Sequence, residues 1–240
     1  NPSLRPISLG MGEPKHATPA FIQQAMVDAI QATPSGLAAY PATAGEPKLR
    51  ESFTRWMKQR YGLEVNPATQ VLPVNGSREA LFALTQTVIQ PAAAGSTPDQ
   101  MPLVVCPNPF YQIYEGAALL AGAQPYFVAS DAARNFAPDW DSVPESVWAR
   151  TQLLFVCSPG NPTGAVMPLS EWAKLFDLSD RFGFVIASDE CYSEIYFRDE
   201  PPLGGMEAAA RLGRTDFKNL ISFTSLSKRS NVPGMRSGFV

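Results

Sequence analysis

The chain has 240 residues and a formal net charge of −3, with 45% apolar and 17% charged residues. This length fits one large domain or two small ones, and it is enough to bury a sizeable core. The weakly acidic balance argues against a nucleic-acid arm, and no run of about 18 apolar residues predicts a membrane span. The only histidine, His16, lies in a loop-like segment, so a histidine-based metal site or catalytic triad is not expected.

The first elements predicted along the chain are two amphipathic helices. One begins after Thr18 and Pro19 and ends at residues 34–36, and the second covers residues 46–61 and stops at Gly62. Further elements then alternate, with strands at 71–74, 103–106, 125–128, 153–157, 184–187 and 220–223, and helices at 78–90, 112–121 and 169–182. Short apolar strands that alternate with amphipathic helices predict an α/β fold, a mainly parallel sheet with helices on both faces.

The three cysteines indicate the cellular compartment of the protein, and the last residues indicate whether the chain is complete. Cys106, Cys157 and Cys191 each follow an apolar run and form no Cys-x-x-Cys pair, which indicates buried free thiols in a reducing compartment such as the cytoplasm. The final apolar residues 238–240 are followed by no turn or polar tail, so we expect a piece of a longer polypeptide.

Polar residues follow several predicted strands, at the edge where open α/β sheets bind ligands. Residues 75–78 contain Gly76, Ser77 and Arg78 at the start of a helix, which suits a phosphate, although such a turn taken alone is more often an ordinary helix cap. Residues 107–114 are rich in aromatic side chains, which either stack on a planar ligand or pack in the core.

The next three strand ends carry an amide, a carboxylate and an amine. Asn161 lies in a Pro- and Gly-rich loop, where it either binds an oxygen of a ligand or forms part of a plain turn. Asp189 ends a buried strand and so needs a partner, and the phenol of Tyr192 follows three residues later. Lys228 follows another strand, eight residues before Arg236, and is either an amine nucleophile or a solvated loop lysine.

In this order the motifs resemble those of the class I/II aminotransferases of fold type I, which use pyridoxal 5'-phosphate. The resemblance extends from residues 9–14 through 40–45 to Ser225, Lys228 and Arg236. It implies an N-terminal arm and first helix over residues 1–34, and a cofactor-binding large domain over 35–240 that is incomplete at its C-terminus. The C-terminal small domain, with the arginine that binds the substrate's α-carboxylate, would then be missing from this chain.

The resemblance also implies roles around the cofactor ring. Lys228 would bind the cofactor's aldehyde covalently and then move a proton at the substrate's α-carbon. Asp189 would pair with the pyridine nitrogen, and Asn161 and Tyr192 would hydrogen-bond the phenolic oxygen. Tyr111 would stack on the face of the ring.

Further roles concern the phosphate, the substrate and a second subunit. The phosphate would be held by Gly76, Ser77, Arg78, Ser225 and Arg236. Tyr40 would reach the phosphate of the neighbouring subunit, which implies a homodimer with shared active sites. Gly12 and Asn161 would lie on the substrate side, and no metal, nucleic acid or membrane is implied.

Two segments, 225–238 and 76–82, are similar to those of N-succinyldiaminopimelate aminotransferases of lysine biosynthesis. This similarity implies transamination between an amino acid, N-succinyl-LL-diaminopimelate, and a 2-oxo acid, 2-oxoglutarate. Three alternatives stay open: an aspartate or aromatic amino acid aminotransferase, a lyase of the same fold and cofactor, and an inactive fragment that serves only as a folding or interaction module.

Overall fold

The computed structural model describes residues 4–7, 10, 12–34 and 36–240. Residues 9 and 11 of the motif at 9–14, and residue 35 at the predicted end of the first helix, lie outside the described residues. The helices are α1 (Ala20–Gln31), α2 (Pro47–Tyr61), α3 (Ser77–Val88), α4 (Ile113–Leu120), α5 (Glu145–Trp148), α6 (Leu169–Phe182), α7 (Gly205–Arg211) and α8 (Leu226–Arg229). The strands are β1 (Pro73–Val74), β2 (Leu103–Asn108), β3 (Gln124–Asp131), β4 (Ala137–Pro138), β5 (Thr151–Cys157), β6 (Val185–Asp189), β7 (Leu220–Ser225) and β8 (Gly238–Phe239).

These strands form one sheet in the order β1-β8-β7-β6-β5-β2-β3-β4. The central strands β7, β6, β5, β2 and β3 are parallel to one another. Antiparallel pairs occur only toward the two edges of the sheet described, where β8 joins β7 and β1, and β4 joins β3. The predicted mainly parallel sheet is therefore confirmed.

Alternate residues of β5 show why helices cover both faces of the sheet. Leu153 and Phe155 belong to a buried cluster with side chains of α3 and α4. Leu154 and Val156 belong to a second buried cluster, with side chains of α6 and α7. Because successive side chains of a strand point to opposite faces, one apolar run of β5 supplies both cores.

Helix α2 contributes a third, smaller cluster beside the strand β8. Phe53 stacks on Phe239 with ring centres 4.1 Å apart, and Met57 is buried in the same cluster. The helix ends at Gly62 as predicted, because this residue takes a left-handed conformation and its N–H bonds the carbonyl of Lys58.

Several short elements differ from the sequence prediction. The strand predicted at 71–74 is only Pro73–Val74, because its partner β8 is itself two residues long; the backbone groups of Leu72 and Val240 still bond each other, at 2.8 and 2.9 Å. The strand β4 and the helices α5 and α7 were not predicted, since two to seven residues are too few to establish a periodicity. Cys106 and Cys191 are buried as expected, but Cys157 is only half-buried because it is the last residue of β5, where the chain enters a loop.

Helix α1 forms where it was predicted, but its apolar side chains are not covered by the described chain. None of its residues is buried, and Phe21 and Ile30 remain 75% and 51% exposed. Within the described residues, no helix is both long enough and apolar enough to cross a membrane.

Candidate active site

The predicted site residues converge where β5, β6 and β7 end. The strand β7 runs directly into α8, which carries Lys228. The Nζ atom of Lys228 lies 5.9 Å from the centre of the Tyr192 ring. Tyr192 follows the end of β6 by three residues, so the parallel register of β6 and β7 brings the amine and the phenol together.

The amine of Lys228 differs from most other lysines of the chain in its surroundings. Four of those lysines lie within ion-pair distance of a carboxylate: Lys15, Lys58, Lys174 and Lys218. The half-buried Lys228 forms no ion pair or hydrogen bond through its Nζ with any residue that the structure describes. Its amine is therefore available to a ligand in the site.

Asp189 is a buried carboxylate at the end of β6, only 5% exposed. The hydroxyl of Tyr114 donates to its Oδ2 at 2.7 Å, and the backbone N–H of Cys191 donates to its Oδ1 at 3.2 Å. A carboxylate offers about four lone-pair sites, so both oxygens can still accept from a ligand. A protonated ring nitrogen is a suitable cation for this position, since a buried negative charge is stabilised by a partner of opposite charge.

Tyr114 is a residue of this site that the sequence analysis did not select. Burial and the nearby charge of Asp189 raise the pKa of Tyr114 well above its usual value, so the hydroxyl stays protonated and remains a donor. Its ring stacks on Phe155 at 4.3 Å and meets the edge of the Tyr111 ring at 6.0 Å. The spacing of Tyr111 and Tyr114, three residues apart at the start of a helix, was the available signal.

The Tyr114 hydroxyl gives the first testable prediction. We expect Tyr114→Phe to lower the free energy of unfolding by about 1–3 kcal/mol, because a buried oxygen of Asp189 loses its donor while the aromatic packing is kept. We also expect weaker cofactor binding, since one contact that orients Asp189 is removed. Urea unfolding and titration of the apoprotein with pyridoxal phosphate measure the two effects.

Tyr126→Phe provides the matched control for this substitution. Tyr126 is half-buried in β3, and its hydroxyl makes no hydrogen bond to the residues that the structure describes. Its loss should leave cofactor binding unchanged and alter the unfolding free energy by less than about 0.5 kcal/mol. Equal effects of the two substitutions would contradict the importance of the Tyr114–Asp189 bond.

Asn161 and Tyr192 offer hydrogen-bonding groups beside this carboxylate. The loop after β5 is closed by bonds from the N–H of Gly160 to the carbonyl of Ala165 at 2.8 Å and from the N–H of Gly164 to the carbonyl of Gly160 at 2.7 Å. The side-chain amide of Asn161 makes no hydrogen bond within the described chain. Burial raises the pKa of Tyr192 to about 12, so its phenol is protonated at neutral pH and can donate to an anionic oxygen.

The start of α3 forms an anion-binding cradle with Arg236. No side chain caps this 12-residue helix, and Gly76 precedes it with φ +96°. A Cβ at Gly76 would collide with the guanidinium of Arg236, so the backbone can approach the arginine this closely only at a glycine. Free N–H groups at a helix N-terminus beside an arginine suit a phosphate group.

Three groups position Arg236 in this cradle, one of which is the carbonyl of Pro233, which accepts from Nη1 at 3.2 Å. Arg236 Nη2 pairs with Glu79 Oε2 at 3.1 Å, a pair in which both side chains are about half exposed, and Nη1 also donates to Ser227 Oγ at 3.4 Å. An exposed pair of this kind is worth only about 0–1 kcal/mol, so an anion can compete for the guanidinium. Ser227 was not selected from the sequence, although it lies directly before Lys228.

The remaining predicted phosphate residues lie around the same cradle. Ser77 Oγ accepts from the thiol of Cys191 at 3.0 Å, which connects the start of α3 to the turn after Asp189. Ser225 Oγ accepts from the N–H of Ser227 at 3.1 Å and so caps α8. Arg78 is exposed, and its guanidinium forms no hydrogen bond or ion pair with the described residues, although its charge acts on the nearby Tyr111.

Gly12 and Tyr40 occupy different surroundings. A Cβ built on Gly12 would lie 3.5 Å from the hydroxyl of Tyr192, so the N-terminal segment borders the predicted substrate side. Tyr40 is fully exposed and forms no hydrogen bond to the site within the described chain. Of the predicted residues, Tyr40 is thus the one that this chain alone does not bring to the site.

The donors and acceptors fit the functional groups of pyridoxal phosphate. The buried carboxylate suits a pyridinium nitrogen, the amide and the phenol suit a phenolic oxygen, the cradle suits a phosphate, and the unpaired amine suits an aldehyde. Among the described residues no cluster of three or more histidine, cysteine or acidic side chains is arranged to hold a metal ion.

Comparison with known proteins gives the family. Residues 5–240 match the model of the aminotransferase class I and II family, and the chain belongs to that family, whose members depend on pyridoxal phosphate. An LL-diaminopimelate aminotransferase of Nitratidesulfovibrio vulgaris is 37% identical over 234 residues, which cover 97% of this chain and 56% of the relative. The chain therefore spans about half the length of this relative.

Solved structures of aminotransferases share the fold of nearly the whole chain. An aminotransferase from Neisseria meningitidis is 52% identical with a TM-score of 0.90, and the match covers 99% of this chain and 57% of that one. A probable N-succinyldiaminopimelate aminotransferase from Thermus thermophilus is 25% identical with a TM-score of 0.82, covering 97% of this chain and 58% of that one. These are fold type I enzymes, as the sequence motifs predicted.

Proposed function

We propose that the full-length protein is a pyridoxal-phosphate-dependent aminotransferase that moves an amino group between an amino acid and a 2-oxo acid. The observation that carries this proposal is the unpaired amine of Lys228, placed 5.9 Å from the centre of the Tyr192 ring beside the buried Asp189. The cofactor, when bound, supplies a ring that withdraws electrons from the substrate's α-carbon.

The chain's own residues then have distinct tasks. Lys228 would remove the proton from the α-carbon of the amino donor and, in the second half-reaction, would deliver a proton to the α-carbon of the 2-oxo acid acceptor, because its amine is the available base in the site. Asp189 keeps a proton on the ring nitrogen, and Tyr114 orients that carboxylate through its hydroxyl. Gly76, Ser77 and Arg236 hold the phosphate at the other end, so the ring is fixed at both ends relative to the amine.

We infer that the amino donor belongs to the diaminopimelate class. The segments 225–238 and 76–82 led us to expect N-succinyl-LL-diaminopimelate, with 2-oxoglutarate as the acceptor. The relative from N. vulgaris bears the name LL-diaminopimelate aminotransferase. This name supports an amino donor with the diaminopimelate carbon skeleton, with or without the succinyl group. Both compounds end in an α-amino acid group, and they differ in the charge at the far end.

We also propose a homodimer with shared active sites, in which Tyr40 of one subunit reaches the phosphate of the other. The full exposure of Tyr40 and the uncovered apolar side chains of α1 support a subunit contact in this region. The three free cysteines support a reducing compartment, and we propose the cytoplasm.

A panel of amino donors tests the proposed activity. The full-length protein with cofactor should produce glutamate from 2-oxoglutarate fastest with LL-diaminopimelate or its N-succinyl derivative, and more slowly with aspartate or an aromatic amino acid. Sedimentation of the same preparation should give the mass of a dimer. Product formation that does not require 2-oxoglutarate would indicate a lyase instead, and failure to bind the cofactor would favour a non-catalytic module.

A further inference from the structure

A reciprocal set of hydrogen bonds ties the N-terminal segment to the loop after Lys228. We call residues 12–18 the N-terminal strap. The side-chain amide of Asn231 donates from Nδ2 to the carbonyls of His16 and Ala17, both at 2.8 Å. In return, Thr18 Oγ1 donates to the backbone carbonyl of Asn231 at 3.0 Å. More than 200 residues of sequence separate the two sides of this contact.

Asn231 is suited to this contact by its backbone as well as its side chain. Its φ of +53° lies in the left-handed region, which asparagine tolerates better than most residues. Its N–H reaches the carbonyl of Lys228 at 3.4 Å, so the contact begins one turn after the lysine. Asn231 therefore joins the strap to the loop that directly follows the helix of Lys228.

The strap extends from this contact toward the site. Gly12, at its other end, lies where a Cβ would be 3.5 Å from the Tyr192 hydroxyl. We infer that Asn231 is a positioning residue that holds the strap against Tyr192, and that the strap is a wall of the amino-acid pocket. This inference rests on the proposed function for the identity of the substrate, but not for the existence of the contact.

Two readouts separate the contact from its role in substrate binding. Lys15 is exposed within the strap, so trypsin cleavage between Lys15 and His16, followed by mass spectrometry, reports local opening of the strap. The second readout is the KM for the amino acid, compared with kcat and with cofactor affinity in titrations of the apoprotein.

In the full-length protein, Asn231→Gly removes both side-chain bonds but keeps a residue that tolerates positive φ. We expect cleavage after Lys15 to accelerate by on the order of tenfold, since two neutral hydrogen bonds are lost. We expect the KM for the amino acid to rise by a similar factor, while kcat and cofactor affinity change by less than about threefold. Thr18→Val should shift both readouts in the same direction by a smaller factor. It replaces Asn231→Gly as the test if that variant folds poorly.

Asn135→Gly is the matched control, because Asn135 is also left-handed, with φ +55°, but its side chain makes no hydrogen bond within the described chain. It should change neither readout. Unchanged cleavage in Asn231→Gly and Thr18→Val would overturn the contact, and faster cleavage with an unchanged KM would overturn its role as a wall. A wild-type protein without aminotransferase activity would refute the proposed function, while the cleavage result would still decide whether Asn231 holds the strap.

Discussion

Lys228→Ala is expected to abolish covalent attachment of the cofactor and to lower the aminotransferase rate by about 10³-fold or more. The amine is both the nucleophile for the cofactor's aldehyde and the group that moves a proton, and alanine supplies neither function. The visible absorbance band of lysine-bound cofactor should disappear. Treatment of the wild-type holoenzyme with borohydride, followed by peptide mass mapping, should place the cofactor on the peptide that contains Lys228.

Lys218→Ala is the control for this experiment, because the amine of Lys218 lies on the surface 3.5 Å from Asp180. It should retain both the absorbance band and the rate. Cofactor binding through phosphate and ring contacts should persist in Lys228→Ala, although it is noncovalent. An unchanged band in Lys228→Ala, or labelling of another lysine in the wild-type protein, would show that the assignment of Lys228 is wrong.

The sequence alone predicted the helices and strands that have long apolar or periodic patterns. Apolar runs such as Leu153–Cys157 belong to strands buried on both faces, and they predicted the parallel sheet and the edge at which polar residues gather. The order of those polar residues also predicted the family. The run at 71–74 kept half of its predicted length, because it pairs with the two-residue strand β8, a distant partner that the local apolar pattern does not reveal.

The contacts that the sequence did not predict are those that depend on distant partners. The sequence around Tyr114 is typical of an ordinary core aromatic, and only the folded position of α4 on the sheet reveals the bond from Tyr114 to Asp189, 75 residues away. The sequence around Asn231 is typical of a loop, and the bonds from Asn231 to His16 and Ala17 depend on the distant N-terminal segment lying beside that loop. Helix α1 is the reverse case, because the sequence predicted the helix correctly but the described chain does not cover its apolar side chains.

Asp189→Asn is expected to lower kcat by about 10²–10³-fold, because a neutral amide no longer stabilises a proton on the ring nitrogen. The Tyr114 hydroxyl can still donate to the amide oxygen, but the amide NH₂ then faces the N–H of Cys191, which is also a donor. We therefore expect the free energy of unfolding to fall by about 1–3 kcal/mol as well. Steady-state kinetics and the pH dependence of the cofactor's absorbance measure the catalytic effect, and urea unfolding measures the stability.

Glu190→Gln separates the two effects, because Glu190 is the neighbouring carboxylate, only 2% exposed, and it bonds Gly205 of α7, whereas Asp189 bonds Tyr114 of α4. Glu190 accepts from Ser188 Oγ at 2.8 Å and from the N–H of Gly205 at 2.9 Å, and burial raises its pKa. Because the pKa of this carboxyl is raised in the folded state, the free energy of unfolding falls as pH rises through that pKa. Glu190→Gln should therefore make the free energy of unfolding less dependent on pH. It should leave the cofactor's absorbance unchanged. If both variants altered kcat and absorbance alike, the loss in Asp189→Asn would reflect general damage to β6 rather than the charge opposite the ring nitrogen.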